Sequence, residues 1–562
     1  MTIRKYHYAL VCLLISGMVN HMPVQYRRHL MRDVTARRKH RTVRDDCGEG
    51  RVSLFCFHEE PHLLDEILTK RGGEKMIIKF KQKENAPHSA LIQENIVNLL
   101  GSCGRVKKLS HIDLYLYETF SNISQRAMKN CLQLLSSGGM LVEQDFQIHP
   151  AEGGGCMSRM VDGGDIIDRG GFIAIGAIGG EAPVSSGGNL RSHPGSDGTF
   201  HLNNQIAFKK FVKRLQTDKK GTNIIHGYDQ TKMKEGTELS EPYEQNDVDV
   251  CIVDTGVDYD HRDLRGNISL VLHGGDVREG HNGSGGDGRD PDESIGDDGH
   301  CRHHPRGMDN HGHGTFIAGI IAGNSQRNSQ GIKGICRRAK LTICKALNSE
   351  NAGFISDILK CFNFCASKKA KIINASFAST KNYLSLFEAL KTLEEKNILV
   401  VSSSGNCCPT PESKNTFPEC NLDVKKVYPT AYSTQLRNLI TVSNMIQRGN
   451  GEVSLSPDSC YSANYVHLAA PGDDIISTFP QNKYAISSGS SFSAAVVTGL
   501  AALVLSINAD LNYEEVIVLL RGSIVQVESL GSRVKWGGFL DVRHLVSATI
   551  ALSRGMAEEA RD

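Results

Sequence analysis

The sequence predicts an α/β protein with a large region built on a doubly wound parallel sheet and a smaller α+β unit before it. Between about residues 205 and 555, short apolar strands alternate with helical segments, which is typical of a parallel sheet covered by helices. The chain has 562 residues, too many for one small domain, and 40% of them are apolar, enough for a large core. The formal net charge is only +2, so we expect no nucleic-acid partner.

The N-terminus has the pattern of a secretory leader. Arg4 and Lys5 precede a short apolar run that ends near Val19, which is typical of a signal peptide and too short for a membrane span. A buried N-terminal strand is a weaker alternative, because an arginine-rich segment follows. We therefore expect a signal peptide over 1–20, a basic pro-segment over 21–70, and no membrane span once the leader is removed.

Residues 71–148 are predicted to form the small α+β unit. Short apolar strands alternate there with two segments of helical spacing, and the order of elements is βαββαβ, a ferredoxin-like plan. The strands are expected at Met76–Phe80, around Val106, at Ile112–Leu116 and from Met140, and the helices at Ser89–Leu100 and from Ser124 to Leu135.

Residues 149–204 are predicted to form an exposed linker. Glycine pairs recur through a stretch with few large apolar residues, and such a composition favours flexible chain that proteases can reach. The glycine clusters stand at 153–155, 163–164, 170–171, 179–180 and 187–188.

The third region, 205–555, carries the alternating pattern. Its strands are expected at Val248–Val253, Leu341–Cys344, Lys371–Asn374, Ile398–Val401 and Leu439–Val442. Its helices are expected at Thr315–Ala322, Ile355–Ser367 and Leu384–Lys396, and from the serines near 490 to Leu505. In such a sheet the active site lies beyond the carboxyl ends of the strands.

Three polar residues stand at this edge. Asp254 ends the first strand of the region, His313 opens an apolar helix, and Ser491 opens the long buried helix. A serine before an apolar helix is often only an N-cap. Peptide hydrolysis, however, needs a hydroxyl activated by an imidazole and a carboxylate that holds the imidazole tautomer. His311 and Ser490 are the competing neighbours.

The chain resembles subtilisin-like serine proteases in these motifs. Asp254-Thr-Gly, His313-Gly-Thr-x-x-Ala-Gly and Gly489-Ser-Ser491 match the three family signatures in the family's order. The resemblance covers about 245–550 and implies a catalytic triad of Asp254, His313 and Ser491. Within the family the sequence is most similar to the apicomplexan (malaria-parasite type) protease 1 group, on the grounds of Lys360–Phe377 and the Asn406-Cys407 pair.

The resemblance also assigns roles around the triad. Asn406 corresponds to the oxyanion-hole donor, whose loss in subtilisin, the studied case, lowers turnover by roughly 10²–10³. Substrate binding is expected at Ser376, Phe377, Ala378 and Gly405. The chain departs from the family pattern at three positions, and at the first of them Ser490 replaces the threonine of the usual Gly-Thr-Ser. Ala378 replaces a glycine of the substrate-pairing edge, and Ala495 replaces the proline four residues after the nucleophile.

The chain has sixteen cysteines, and that number in a protein with a predicted leader indicates disulfides. The sequence has no paired Cys-x-x-Cys spacing of the kind that binds zinc, so a zinc site is not expected. Similarity to the protease 1 group suggests the pairs Cys251–Cys365, Cys344–Cys361 and Cys407–Cys420. Buried free thiols are the alternative for some of these residues.

Calcium is the metal that the resemblance implies. The family's site corresponds to Asp263 and the loop around Asn328, Gln330 and Ile332, where oxygen ligands suit a hard cation. A second acidic stretch is either another calcium site or a solvated loop, and it contains Asp290, Asp292, Asp297 and Asp298.

The expected function is that of a secreted, calcium-dependent serine endopeptidase made as a zymogen. Residues 71–148 would then be an inhibitory propeptide, cut from the enzyme between Asp145 and Phe146. By resemblance, its substrates would be parasite proteins processed around host-cell egress and invasion, after storage in an apical secretory organelle. Two alternatives stay open: a pseudoprotease that binds peptides in the same groove, and a non-peptidase α/β hydrolase, which the order Asp, His, Ser argues against.

Overall fold

The computed structural model describes residues 75–80, 96–120, 140–145, 147–148, 173–175, 222–223, 230–273, 307–324, 331–407, 420–448 and 451–559. The chain divides into two compact units, 1–145 and 146–562. The predicted signal peptide, basic pro-segment and most of the predicted linker lie outside the described residues.

The first unit contains one four-stranded antiparallel sheet with the order β2-β3-β1-β4. Its strands are β1 (Lys75–Phe80), β2 (Gly104–Leu109), β3 (Leu114–Thr119) and β4 (Met140–Gln144). This order is the one that the predicted βαββαβ plan requires. Residues 96–100 are helical, and the second predicted helix lies outside the described residues.

The second unit is built on an eight-stranded sheet with the order β16-β15-β14-β13-β8-β11-β9, in which β17 also pairs with β15. The strands are β8 (Val248–Asp254), β9 (Ile268–His273), β11 (Ala339–Lys345), β13 (Ile372–Ala375), β14 (Leu399–Ser403), β15 (Leu439–Gln447), β16 (Val453–Leu455) and β17 (Leu468–Pro471). All pairs are parallel except β15 with β16. The predicted doubly wound sheet is confirmed, with this antiparallel edge as an addition. The turn between Arg448 and Glu452 is too short for a crossover.

Eight labelled helices accompany the described strands of this unit. They are α1 (Gln230–Ser240), α2 (His313–Ala322), α3 (Ile355–Ser367), α4 (Leu384–Glu395), α5 (Ser490–Ile507), α6 (Tyr513–Gly522), α7 (Glu528–Gly531) and α8 (Val542–Glu559). Helices α2 and α5 pack on each other and on the sheet, and α3 and α4 do the same. The sheet core therefore lies between helices, as predicted.

Helix α5 passes through the centre of this core. It is the one helix among the described residues that is long and apolar enough to cross a membrane, but 94% of its apolar window is buried inside the protein. Its uninterrupted run of small and aliphatic residues is explained by packing on all sides, since a helix buried all round needs no polar face.

Smaller sheets complete the second unit. β5 (Gln147–Ile148) pairs antiparallel with β12 (Gly353–Phe354), directly before α3. The other short strands are β6 (Ile173–Ile175), β7 (Thr222–Asn223), β10 (Ile332–Lys333), β18 (Ile475–Phe479), β19 (Lys483–Ser487), β20 (Ile524–Gln526) and β21 (Gly538–Leu540). β6 lies in the segment predicted as a linker and pairs with β19, because Ile173 and Ile175 are strand-forming residues among the glycines.

Three disulfides join pairs of described cysteines, Cys251–Cys365, Cys344–Cys361 and Cys407–Cys420, with Cα separations of 5.8, 5.5 and 5.3 Å. These are the pairs that the resemblance suggested. Two of them tie α3 to the central strands β8 and β11. Cys336 and Cys460 are buried free thiols, and burial raises the pKa of each to about 12.

A buried histidine beside β17 makes stability depend on pH. His467 packs against Trp536, and its Nδ1 accepts the Thr441 N–H at 3.1 Å. Burial, reinforced by Lys535, lowers the pKa of His467 to about 3. In the unfolded chain the pKa is about 6.5. Between these values the unfolded chain binds a proton that the folded protein does not, so stability falls as the pH falls through this window.

We expect the free energy of unfolding to drop between pH 7 and pH 5, with about 2 kcal/mol of the drop caused by His467. His467→Asn keeps an acceptor for Thr441 but cannot titrate, so its drop should be smaller by that amount. Urea unfolding at both pH values, in an inactive Ser491→Ala background that prevents self-digestion, measures the difference. An equal drop in both proteins would contradict this role of His467.

Candidate active site

Asp254 and His313 form a buried pair at the carboxyl edge of the sheet. Strand β8 ends at Asp254, and α2 begins at His313. The His313 Nδ1 lies 2.8 and 2.9 Å from the two carboxylate oxygens of Asp254, which is fully buried. An ionised carboxylate accepts only, so Nδ1 carries the proton and the opposite nitrogen, Nε2, is left as the basic atom.

Glycines allow this close approach. A Cβ on Gly314 would collide with the carbonyl oxygen of Gly256 and would lie 3.2 Å from Asp254 Oδ1. Gly256 itself has a φ of 104°, a conformation that favours glycine. The Asp-Thr-Gly and His-Gly-Thr signatures therefore contain glycine because two backbone segments meet beneath the carboxylate.

Ser491 lies at the start of α5, after Gly489. Its Oγ donates to the Ser376 carbonyl at 3.3 Å. The next residue, Phe492, stacks its ring against His313 with centroids 5.7 Å apart. The hydroxyl thus lies at the positive end of a helix dipole, where the Ser491 N–H can stabilise a developing oxyanion.

Asn406 lies across the same helix end. Its Oδ1 accepts both the N–H and the Oγ–H of Ser490, each at 3.0 Å. Because these bonds hold the amide oxygen, the Nδ2 group is the part of the side chain that remains to donate. A Cβ on Gly489 would lie 3.3 Å from Nδ2. The site therefore combines a base, a hydroxyl and an amide donor.

Comparison with known proteins identifies the family of this chain. Residues 245–537 match the sequence profile of the subtilase family, peptidase family S8. Subtilisin-like protease 3 of Plasmodium falciparum is 40% identical to this chain over a 620-residue alignment that covers 85% of the chain and 80% of the relative. The chain belongs to the subtilase family. It is a subtilisin-like serine protease.

Further relatives define its branch. Subtilisin-like protease 1 of Plasmodium berghei is 30% identical over 503 residues, covering 88% of this chain and 80% of the relative. The Plasmodium falciparum protease 1 is 35% identical over 366 residues, covering 64% and 49%. The predicted family and its apicomplexan branch are confirmed, and among these relatives identity is higher to protease 3 than to protease 1.

One solved structure supports the fold alone. Fervidolysin of Fervidobacterium pennivorans, a keratinolytic enzyme related to subtilisin, superposes with a TM-score of 0.54 at 16% identity. The match covers 85% of this chain and 61% of that chain.

Of the predicted substrate-binding residues, Ser376 contacts Ser491, the predicted nucleophile. Ser376 accepts from Ser491, and Phe377 and Ala378 are buried. Ala378 has no positive φ, so the backbone does not demand the family's glycine there. The backbone at Gly405 does favour glycine, because its φ is 95°. The Gly405 carbonyl accepts the Cys460 N–H at 3.0 Å.

His311, the competitor of His313, has a different role. Its Nδ1 accepts the backbone N–H of His313 at 3.3 Å, and the two rings lie 6.3 Å apart. Burial, followed by the neighbouring His313, lowers the pKa of His311 to about 4. His311 is therefore neutral at physiological pH, and it is His313 that holds Asp254.

The predicted calcium site is described in part. Asp263 is buried, and its Oδ2 accepts the Ile332 N–H at 2.9 Å and the Tyr484 hydroxyl at 2.7 Å. Nearby, Asn324 donates its N–H to the Asp263 carbonyl at 2.7 Å, and its own Oδ1 is buried with no hydrogen-bond partner. An amide oxygen without a donor suits a hard cation. Sequence reasoning missed Asn324.

Other predicted ligands cannot be placed. Asn328, Gln330 and the acidic stretch with Asp290, Asp292, Asp297 and Asp298 lie outside the described residues. The described residues contain no group of three or more His, Cys, Asp or Glu side chains that could hold a metal. A calcium site made largely of amide and carbonyl oxygens needs no such group.

At the predicted processing site, Phe146 lies outside the described residues and Asp145 lies inside them. The Asp145 N–H donates to the Lys75 carbonyl at 2.9 Å, continuing the pairing of β4 with β1. On the other side of the bond, Gln147–Ile148 pairs with Gly353–Phe354.

Proposed function

We propose that this subtilase is a serine endopeptidase in which Ser491 is the nucleophile, His313 the general base and Asp254 the residue that orients it. The observation that carries the proposal is the two-oxygen contact of buried Asp254 with His313 Nδ1, at 2.8 and 2.9 Å. This contact presents Nε2 as a base on the edge where Ser491 stands.

The reaction needs two proton transfers. His313 Nε2 accepts the Ser491 hydroxyl proton while Oγ bonds to the scissile carbonyl carbon, and Asp254 stabilises the imidazolium. The Ser491 N–H and Asn406 Nδ2 donate to the tetrahedral oxyanion. The imidazolium then gives its proton to the leaving amine, and water repeats the sequence on the acyl-enzyme. Ser490 contributes by holding Asn406 Oδ1 at 3.0 Å.

The departures from the family pattern do not favour the pseudoprotease. Ala495 lies fully buried inside the regular helix α5, which has no need of a proline. Ala378 occupies its position without a positive φ. Neither substitution replaces a residue of the proposed triad.

We also propose that the enzyme is made as a zymogen and cleaves itself between Asp145 and Phe146. The boundary between the two compact units falls at this bond. The strand pairing of Gln147–Ile148 with Gly353–Phe354 supports an extended, substrate-like segment bound to the protease unit. The propeptide, predicted over 71–148 and ending at Asp145 after this cut, would be the inhibitor, and parasite proteins would be the substrates in the secretory pathway, around egress and invasion.

Intact mass and N-terminal sequence of the secreted full-length chain test the proposal, with wild type beside Ser491→Ala. We expect a new N-terminus at Phe146 in the wild type alone. If both proteins stay full length, autocatalysis is wrong. If both are cut alike, another protease does the processing. Hydrolysis of a peptide spanning Leu141–Ile148 by the wild type alone would separate the protease from the pseudoprotease.

Calcium is proposed as the structural metal, held by Asp263 and Asn324 together with the Ile332 carbonyl. A cation that binds only the folded protein at a hundredfold excess over its Kd stabilises the protein by about 3 kcal/mol. Chelation should therefore lower the melting temperature of Ser491→Ala, and Asn324→Ala should reduce the recovery on adding calcium. Magnesium is the control, because its smaller octahedral shell fits such a site poorly. An equal response to both ions would contradict a calcium site.

A further inference from the structure

The helix that carries His313 lacks a cap of its own. Helix α2 starts after Gly312, which has a φ of 109° and makes no side-chain cap bond. The first N–H groups of a helix have no partner inside it and need one elsewhere. Here three separate side chains accept them: His311 Nδ1 from His313 at 3.3 Å, Thr255 Oγ1 from Gly314 at 2.9 Å and Asp309 Oδ2 from Thr315 at 2.8 Å.

Asp309 makes the most bonds of the three. Its Oδ1 accepts from the Thr255 hydroxyl at 2.9 Å and from the N–H groups of His311 and Gly312 at 3.0 and 2.7 Å. Its Oδ2 accepts the N–H and hydroxyl of Thr315 at 2.8 and 2.6 Å. The side chain is buried. In all five bonds the Asp309 carboxylate is the acceptor, so its two oxygens hold donors from both sides of the helix start.

Thr255 connects this carboxylate to the catalytic one. The Thr255 hydroxyl donates to Asp309 and accepts from Gly314, while the Thr255 N–H donates to Asp254 Oδ1 at 2.7 Å. One continuous chain of buried hydrogen bonds therefore runs from the start of α2 to the carboxylate that holds His313.

The Lys345 ammonium bonds the two residues that follow these carboxylates in the chain, Thr255 and Asn310. Lys345 is fully buried at the end of β11, in register with Asp254, and Nζ donates to the Thr255 carbonyl at 3.0 Å and to Asn310 Oδ1 at 2.8 Å. A buried ammonium is costly to desolvate unless it is bonded and faces negative charge. Among the described residues, this hydrogen-bond network therefore brings together Asp254, Asp309, His311, His313 and Lys345 as charged or titratable groups.

We propose that Asp309 is the positioning residue for the general base, locking α2 to the end of β8 so that His313 meets Asp254, while Lys345 balances the charge of the two carboxylates. The inference rests on the proposed triad and deepens it. Asp309 and Lys345 are both buried. They act through the backbone of His313 and through the field at its imidazole.

Asp309→Asn introduces an N–H group where only acceptors fit, so the helix start should shift. A misplacement of the base by about 1 Å lowers the rate by about 10²-fold. We expect kcat for a peptide spanning Leu141–Ile148 to fall by about that factor, with little change in KM, because the residue does not touch substrate.

The pH profile separates positioning from simple destabilisation. Loss of the Asp309 charge makes the His313 imidazolium less favourable, so the acid limb of kcat/KM should move to lower pH. Lys345→Met removes the balancing cation and should move the limb to higher pH. A purely structural defect would lower the amount of active enzyme in both variants without opposite displacements.

Two substitutions of Thr255 form a matched pair of variants. Thr255→Val removes the hydroxyl at constant shape and should reproduce the fall in kcat. Thr255→Ser keeps the hydroxyl and should restore most of the rate. Thermal unfolding of each variant reports whether it folds, and if Asp309→Asn does not, the Lys345 and Thr255 variants carry the test.

A parallel measurement distinguishes failure of the positioning role from failure of the proposed function. Ser491→Ala is measured beside the variants, and an active wild type with an inert Ser491→Ala supports the triad whatever Asp309 does. If the triad is supported in this way, a wild-type kcat in Asp309→Asn overturns the positioning role. Displacement of the acid limbs of Asp309→Asn and Lys345→Met in the same direction also overturns it. If the wild type is itself inert towards peptide and towards a fluorophosphonate probe of the serine, the triad and this inference both fail.

Discussion

Peptide hydrolysis by Ser491→Ala is expected to be about 10⁶-fold slower than by the wild type, since the nucleophile and the base act as one unit. The residual rate would come from binding and from the oxyanion donors, which the substitution leaves in place. Single-turnover kinetics on a peptide spanning Leu141–Ile148 measure the chemical step, and a fluorophosphonate probe measures nucleophilicity directly.

Ser490→Ala is the control for this prediction. Ser490 is also a hydroxyl at the start of α5, but it is fully buried and bonds Asn406 Oδ1 at 3.0 Å. Its loss should loosen the amide and slow turnover by about tenfold or less, because the Ser490 N–H still holds Asn406. The reverse result, with Ser490 essential and Ser491 dispensable, would show that Ser490 is the residue that corresponds to the nucleophile of the family.

Asp254→Asn is expected to lower kcat by about 10⁴-fold without unfolding the protein. The amide is nearly the same size as the carboxylate, so the packing at Thr255 and Gly314 is retained. The physical change is the proton. An asparagine amide that donates to His313 Nδ1 favours the tautomer in which Nε2 carries the hydrogen, and such an imidazole cannot accept the Ser491 proton.

A double variant distinguishes this mechanism from an unrelated defect. Asp254→Asn combined with Ser491→Ala should be no slower than Ser491→Ala alone, because the members of a triad are non-additive. If the rate of the double variant instead fell by the product of the two single decreases, Asp254 would act independently of Ser491, as a structural carboxylate.

Much of the fold could be predicted because it depends on local pattern. The runs Val248–Asp254, Ile372–Ala375 and Leu399–Ser403 are short and apolar, as fully buried parallel strands must be. The limits of α3 were predicted correctly from helical spacing. The short strands β16 to β19 were not predicted, because their pairing with distant segments decides them more than their own residues do.

The residues of the candidate site were recognisable for a related reason. Asp254, His313 and Ser491 stand where a strand ends or a helix starts, and each has a glycine within two residues of it in the chain. These features are contiguous in the chain. A motif of a few neighbouring residues is therefore enough to name the chemistry.

The partners of those residues are not contiguous, and only the tertiary structure identified them. Asp309 binds the hydroxyl of Thr255, 54 positions away, and Lys345 reaches the carbonyl of that threonine, 90 positions away. Asn324 gained its significance only when its Oδ1 was found buried without a partner. The amino-acid sequence alone determined the sheet, the family and the reacting groups, because these depend on periodicity and short motifs. Folding decided which buried charges and acceptors surround them, because that depends on where distant segments meet.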